Sequence, residues 1–485
     1  MSDKTWEILD EPPEKFYDKH PELDQVVAEL LYHRGVRSQE EIDEFLNPDY
    51  SKDIHDPFLF DEMEQAVERI FLALNREEKI MIYGDYDADG VSAATILKET
   101  LDAIGAESDV YLPHRETEGY GLNKEAVEQF SQENFELIIT CDCGISDREE
   151  VELANEKNLD VIITDHHSIP EQTPDSHSTL HPKIEEENYP DQTLSGGGVA
   201  FKLAQGLLTK HKQKNLDLDS EHSHEGFEKW LLDMVAIANV ADMVPLQGEA
   251  RTLTKYGLFV LNKTKRIGLQ KLLLEARLMN DDGTLKKEIN TGTISYQIAP
   301  RLNAAGRINH ANVAYKLMIT DDPIEATDLA YELNQNNQER QKMVKENIKQ
   351  AKQQIERQQG EPIIFVIDDD WNQGVVGLIA SKIQENNYKP TIAMTKKGGE
   401  ISRSGRSIEG FNIIKALQGM PELFSTFGGH PQACGFTLKN NDDLDLFKEK
   451  LKNKYQEFTA DKEITETLTI DAKVDMKHVD WDLHD

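Results

Sequence analysis

Lys79-Ile80-Met81-Ile82-Tyr83-Gly84-Asp85-Tyr86-Asp87-Ala88-Asp89-Gly90 is the stretch on which the reading of this chain turns. Five residues of β-type apolar character run into a loop carrying three aspartates on alternate positions. Two later segments repeat the pattern. Leu137-Ile138-Ile139-Thr140 leads into Cys141-Asp142-Cys143-Gly144, and Val161-Ile162-Ile163 into Thr164-Asp165-His166-His167. Between them lie stretches of helical periodicity, Val91 to Leu101 and Arg148 to Glu156. Strand–helix alternation predicts a parallel sheet, and ligands collect at the carboxyl ends of such strands. All three acidic segments therefore fall on one edge. Carboxylates crowded there repel one another unless cations neutralise them.

An aspartate at one strand end is ordinarily a turn residue or helix cap. Three such segments in succession on one sheet edge point instead to a metal centre. A calcium loop of the EF-hand kind does not fit, because Ile96 stands where its acidic twelfth ligand belongs and a strand precedes the loop. A two-metal site needs bridging oxygen ligands. At least two of Asp85, Asp87 and Asp89 can point inward together, and Asp142 at the next strand end is placed to bridge. His166 adds an imidazole, which favours Mn²⁺ over Mg²⁺. Asp165 is expected to support its neighbours or hold backbone, and His167 to face a substrate phosphate. Asp242 is the carboxylate of Ala241 to Leu246, the apolar end of the segment that starts at Leu231. Buried carboxylates must be paired or metal-bound, so it completes the ligand set.

With 485 residues the chain can form two or three domains. Its composition, 38% apolar and 29% charged, fits a globular protein with no membrane span. Three cysteines, two of them flanking Asp142, suggest a reducing cytoplasm. The net charge of −37 is unusual for a nucleic-acid enzyme. A basic groove on an acidic exterior, a salt-adapted host, or a substrate other than long nucleic acid would each account for it.

Residues 1–60 read as a mostly helical leader and 61–322 as the strand–helix domain. Within the latter, 211–229 is a polar, His-rich exposed insertion rather than a metal tract. Pro323 to Gly360 predicts one long connector helix, and 361–458 a second, smaller α/β domain. Glu466 to Ala472 reads as a strand with nothing to pair with, so 459–485 is expected to begin a further domain.

GDYDADG, the aspartate of CDCG, the DHH triplet and the aspartate of VADMVPL stand in the order found in the DHH phosphoesterase superfamily, which this chain resembles. Within it, Tyr111 to Arg115, Glu118 to Leu122, Ser195 to Val199 and Ala299 to Arg307 resemble the bacterial single-strand-specific 5′→3′ exonucleases. So do Gly374 to Gly377, Ser404 to Ser407 and Gly428 to His430. Tyr83 stands where many superfamily members carry histidine, and Asn372 where the exonuclease pattern has one. The resemblance implies two α/β lobes, a parallel-sheet DHH domain and a smaller DHH-associated domain, joined by a long helix with single-stranded substrate threaded between them. It implies metal ligands at Asp87, Asp89, Asp142, His166 and Asp242, with Asp85 ligating or supporting. Two Mn²⁺ ions are expected, with Mg²⁺ as the alternative. Arg115, Ser404 and Arg406 would hold the 5′ phosphate, with Arg301, Asn303, Arg307 and His430 near the nucleotide. The implied activity is release of 5′-mononucleotides from single-stranded DNA in repair and recombination. A helicase and a single-strand-binding protein are the expected partners of a monomeric enzyme. The tail would then begin an oligonucleotide-binding barrel. Two other readings are a phosphodiesterase for short or cyclic nucleotides, and a non-catalytic replication scaffold, which retention of every motif carboxylate disfavours.

Overall fold

The protein is described by a computed structural model covering residues 4–185, 187–396, 401–460, 464–476 and 479. It forms two compact units. One runs from Glu44 to Glu339; the other combines the residues up to Asp43 with those from Arg340 onward. Strand β1 (Thr5–Ile8) belongs to the second.

In the first unit, β2 (Lys79–Gly84), β3 (Ser108–Tyr111), β4 (Phe135–Cys141), β5 (Asp160–Thr164) and β6 (Ser178–Leu180) form an all-parallel sheet in the order β3-β2-β4-β5-β6. The order reverses at β2, so a crevice opens between the carboxyl ends of β2 and β4, where open α/β sheets bind ligands. Alternation along the strands sends Ile80, Ile82, Leu137, Ile139 and Ile162 into one core. It sends Met81, Tyr83, Ile138, Val161 and Ile163 into the other. The larger core is closed by helices α1 (Ala88–Ala103), α2 (Gly196–Gln213), α3 (Leu232–Ala241) and α4 (Gly248–Leu261). Burial on both faces explains why these strands read as continuous apolar runs.

Helix α5 (Pro323–Glu356) is one element of 34 residues, as its periodicity predicts. Ala326, Ala330 and Leu333 are buried in the core of the first unit. Near its end, Gln354 and the following Gln358 turn to β7 (Ile364–Asp368). Each side-chain amide both donates to and accepts from one strand residue: Gln354 pairs with Ile367 at 2.9 and 3.1 Å, and Gln358 with Phe365 at 2.7 and 3.0 Å. Two glutamines thus imitate a neighbouring strand along an open sheet edge.

That sheet, in the second unit, has the order β10-β11-β9-β8-β7. Helix α6 (Gln373–Asn387) packs on β8 (Thr391–Thr395) and β9 (Ser402–Arg406). Strands β10 (Phe424–His430) and β11 (Ala433–Leu438) extend the sheet antiparallel. The other face is sealed by Ile413, Leu417, Phe447 and Leu451, from helices α7 (Ile413–Gln418) and α8 (Leu444–Thr459).

Two sequence expectations change. The strand expected to be unpaired, β12 (Thr467–Ile470), pairs in parallel with β1, which also places a strand in the leader. A pairing across some 460 residues leaves no local signal. The 211–229 segment is largely exposed, as expected, but His211 is buried at the end of α2 with its Nδ1 3.0 Å from His224 Nε2, and His224 to Trp230 is helical. Among the described residues no helix is long and apolar enough to cross a membrane.

Candidate metal centre

The aspartate loop is shaped by the start of α1. Asp87 caps that helix, accepting from Asp89 N at 2.8 Å and Gly90 N at 3.2 Å. Gly90 is obligatory, since a Cβ there would lie 2.5 Å from the Asp85 carbonyl oxygen. Asp89, in the first turn of α1, is aimed at the N-terminus of α2. Its two oxygens accept from Gly196 N at 2.9 Å and Gly197 N at 2.7 Å, where the helix dipole and free N–H groups favour negative charge. A Cβ on Gly196 would lie 2.5 Å from Asp142 Oδ1, and one on Gly197 2.5 Å from the Ala238 Cβ. The Ser-Gly-Gly-Gly run is therefore a cradle for two site carboxylates.

Asp142 leaves β4 with φ of +61°, a left-handed conformation uncommon outside glycine. Its N–H reaches Thr164 O at 3.0 Å, and its carbonyl accepts from Tyr120 Oη at 3.1 Å. Asp165 ties the next loop together. Its Oδ1 accepts from His166 N at 2.7 Å and His167 N at 3.1 Å and lies 2.7 Å from His167 Nδ1, while Oδ2 accepts from Ile145 N at 3.0 Å. His166 Nε2 then stands 3.2 Å from Asp142 Oδ1 and 3.7 Å from both Asp89 Oδ2 and Asp242 Oδ2. Asp242 comes from the end of α3.

Three groups have ligand atoms all within 4.8 Å of one another: Asp85, Asp87 and Asp142; Asp89, His166 and Asp242; and Asp142, His166 and His167. Burial, aggravated by Asp87, pushes Asp85 up to about 7. Burial, with Asp87 again, raises Asp242 to about 6. Asp89 and Asp142 are driven well above the carboxylate range by burial and then by Asp242 and Asp89 respectively. Burial and the adjacent His167 hold His166 down to about 3, keeping its imidazole neutral. For His167, burial is outweighed by the hydrogen bond and charge of Asp165, which lift it to about 9. Buried polar atoms normally find hydrogen-bond partners, yet neither Asp85 Oδ1 nor His166 Nε2 has one. Neutral imidazole, several carboxylates and two orphaned ligand atoms fit a divalent cation site.

The remaining candidates are placed as follows. Arg115 lies with Cζ 4.2 Å from the Tyr86 ring centroid, its Nε buried without a partner. Asn303 Oδ1 accepts from Ala88 N at 2.7 Å, bracing the aspartate loop. Gly306, just before Arg307, packs on that loop too, where a Cβ would lie 2.7 Å from Tyr86 O. Arg301 turns to Asn334 Oδ1 at 3.1 Å and Gln297 O at 2.6 Å. In the second unit, Arg406 Nη1 donates to Ser404 Oγ at 2.9 Å, and both crowd Gly377 of α6, where a Cβ would lie 3.0 Å from Arg406 Nη2 and 3.1 Å from Ser404 Oγ. Strand register puts His430, Ala433 and Arg406 in one row of the sheet, and Gly428, Gly435 and Ser404 in another. A floor of small residues is thus flanked by Ser404, Arg406 and His430. Asn372 caps α6 by accepting from Gly374 N at 2.8 Å.

Several supporting groups had no assigned role in the sequence reading. Tyr120 Oη bonds to Asp142 O and lies 3.0 Å from His167 Nδ1. It is flanked by Gly119 and Gly121, both at positive φ, a pattern that could have been read as a turn presenting its aromatic. Lys183 Nζ donates to His166 O and His181 Nε2 lies 2.9 Å from His167 O; nothing in His-Pro-Lys signals this. Tyr83 is structural, buried with its hydroxyl donating to Gly121 O at 2.7 Å.

Comparison with known proteins shows the family. Residues 79–238 match the DHH family, N-terminal domain, and residues 359–457 the DHHA1 domain. The chain is 41% identical over 451 residues to the single-stranded-DNA-specific exonuclease RecJ of Bacillus subtilis, covering 92% of this chain and 54% of that protein. It is 32% identical over 440 residues to RecJ of Dickeya dadantii, covering 88% of this chain and 74% of that one. The crystal structure of RecJ in complex with Mn²⁺ from Thermus thermophilus superposes with a TM-score of 0.78 at 26% identity, covering 96% of this chain and 64% of that one. The chain thus spans about half the length of the Bacillus relative. An aspartate loop, a DHH turn and a glycine cradle assembled at one sheet edge, with a relative 32% identical matched along 74% of its length, place the chain in the RecJ family of single-stranded-DNA-specific exonucleases.

Proposed function

We propose that this chain is a metal-dependent 5′→3′ exonuclease that hydrolyses single-stranded DNA to 5′-mononucleotides. The observation that carries the proposal is that Asp89, Asp142 and Asp242 gather around His166, whose buried Nε2 has no hydrogen-bond partner, while Asp85 and Asp87 share Asp142 in an adjoining group. Two divalent ions, Mn²⁺ by ligand chemistry with Mg²⁺ as the alternative, would be held there, with Asp142 bridging because it belongs to two of the ligand groups. Bound ions would neutralise phosphate charge and make a water acidic enough to attack.

The protein's own part is preorganisation. Gly196 and Gly197 orient Asp89, while Asp165 and Lys183 fix the backbone that carries His166. His167, its side chain 30% exposed, is held by Asp165 and Tyr120 at the rim of the cluster, where a phosphate can reach it. Arg115, Arg307 and Asn303 border the aspartate loop, with Arg301 on the same helix as the last two. Ser404, Arg406 and His430 give the smaller unit an anion-binding face. Preference for single strands is supported by the name of the relatives, single-stranded-DNA-specific exonucleases, and action from the 5′ end by the motif resemblance. A helicase and a single-strand-binding protein are the expected partners, a monomer the expected state, and the cytoplasm, where three free buried cysteines stay reduced, the expected compartment.

The test is digestion of a 3′-labelled, 5′-phosphorylated single strand of ~30 nucleotides, long enough to cover any single-strand site, with Mn²⁺ present. A ladder shortening from the 5′ end and 5′-mononucleotide product are expected. Cleavage confined to the shortest oligonucleotides would replace this reading with a short-substrate phosphodiesterase.

A further inference from the structure

On the first unit, a cavity of about 1030 Å³ runs along α4, outside the metal ligands and the substrate-binding candidates. Its interior is apolar, with Leu246, Leu258, Val260 and Ile289 among Tyr50, Trp230, Tyr256 and Phe259. Its charged lining is Lys229, Arg251, Lys255 and Lys263 against the single carboxylate of Glu288. In a chain of net charge −37 this reverses the prevailing sign. Lys229, Lys255 and Lys263 form no ion pair among the described residues, although carboxylates abound elsewhere. Phe259 is 60% exposed at this apolar surface.

The cations are positioned by the aromatics. Lys263 Nζ lies 3.7 Å from the Phe259 ring centroid and Lys229 Nζ 5.6 Å from that of Tyr50. Each of those rings therefore already has a cation on one face, which leaves less room for a stacked nucleobase. Two hydrogen-bonding groups of the lining are committed internally. Thr254 Oγ1 bonds to Ala250 O and to Asn239, and Asn290 Oδ1 caps the next helix. The lining is otherwise chiefly apolar surface ringed by ammonium groups.

We propose that this cavity is a docking site for an acidic peptide segment of a partner protein, one that inserts apolar side chains between flanking aspartates or glutamates. The apolar residues fill the cavity, and the carboxylates meet Lys229, Lys255 and Lys263 at its rim. Charge complementarity on an otherwise repulsive surface supplies selectivity. The site is independent of the nuclease assignment, since none of its lining residues is a candidate metal ligand.

The experiment uses fluorescein-labelled Asp-Asp-Glu-Leu-Asp-Asp-Phe, followed by anisotropy against the whole chain in EDTA, with thermal melting to verify folding. Saturable binding is expected, weakened about tenfold or more in Lys255→Glu/Lys263→Glu, as for reversal of close interfacial charges. Phe259→Ala should weaken it as well, and unlabelled oligothymidylate should not compete. Absence of saturable binding, unchanged binding in the charge-reversed variant, or displacement by oligothymidylate would each overturn the proposal, the last by making the cavity a nucleic-acid site. Because metal is absent throughout, exonuclease failure and peptide failure remain distinguishable.

Discussion

Gly196→Ala is the most informative single perturbation of the metal centre. A methyl group there would start 2.5 Å from Asp142 Oδ1 and from Asp142 Cβ. Ordinary carbon contacts begin near ~3.5 Å, so α2 and the β4 loop must part by roughly 1 Å. Neither can yield freely. Asp142 is already in a left-handed conformation, and Gly196 N is bonded to Asp89 at 2.9 Å. Overpacking of this kind costs about 1–3 kcal/mol of stability. A misplacement of about 1 Å at a catalytic centre costs on the order of 100-fold in rate. Calorimetric titration of Mn²⁺ and single-strand digestion should therefore both show a large loss, with thermal melting lowered but cooperative. Gly360→Ala, where no atom lies within 4 Å of the added Cβ, serves as the control and should change neither. Wild-type metal affinity and rate in Gly196→Ala would refute the cradle.

Three further outcomes are expected. With metal removed, Asp85 at about 7 and Asp242 at about 6, against 3.8 unfolded, make the folded chain bind more protons than the unfolded one between about pH 4 and 7. Stability in EDTA should fall as pH rises through that window, and the stabilisation given by Mn²⁺ should grow; urea unfolding at both ends checks the sign, and the opposite trend counts against the crowded cluster. Tyr120→Phe removes the hydrogen bond to Asp142 O and the contact with His167. One such bond is worth about 0.5–1.5 kcal/mol, so the rate should drop about 2- to 12-fold; a wild-type rate would exclude Tyr120 from positioning. Gln354→Leu/Gln358→Leu strips the imitation strand from β7, exposing Phe365 and Ile367 backbone groups. Size-exclusion chromatography should show self-association and amide exchange at those residues should accelerate; unchanged exchange would show that the edge is protected otherwise.

The parallel sheet and the aspartates at its edge were legible because both obey local rules: β-type runs, helical spacing, and loops at carboxyl ends. The resemblance supplied motif order and candidate roles. What lay beyond both readings was long-range. The β1–β12 pairing joins two weak, exposed four-residue strands whose partners are nearly a chain length apart. Ser195 to Gly198 was visible as a motif, but its service to Asp89 and Asp142 depends on α2 crossing behind α1. Lys183 and His181 act through backbone carbonyls of the DHH turn, a contact that leaves no pattern in sequence. Gln354 and Gln358 sit in a polar stretch that reads as solvated helix, and only the open edge of β7 gives them a task.

Counting Mn²⁺ ions bound per chain, in wild type and in Asp142→Ala, tests the metal centre most directly. Two ions in the wild type and at most one in Asp142→Ala, with 5′ digestion lost in parallel, is the expected result. No bound Mn²⁺ in the wild type, or an unchanged count and rate in Asp142→Ala, would contradict the assignment.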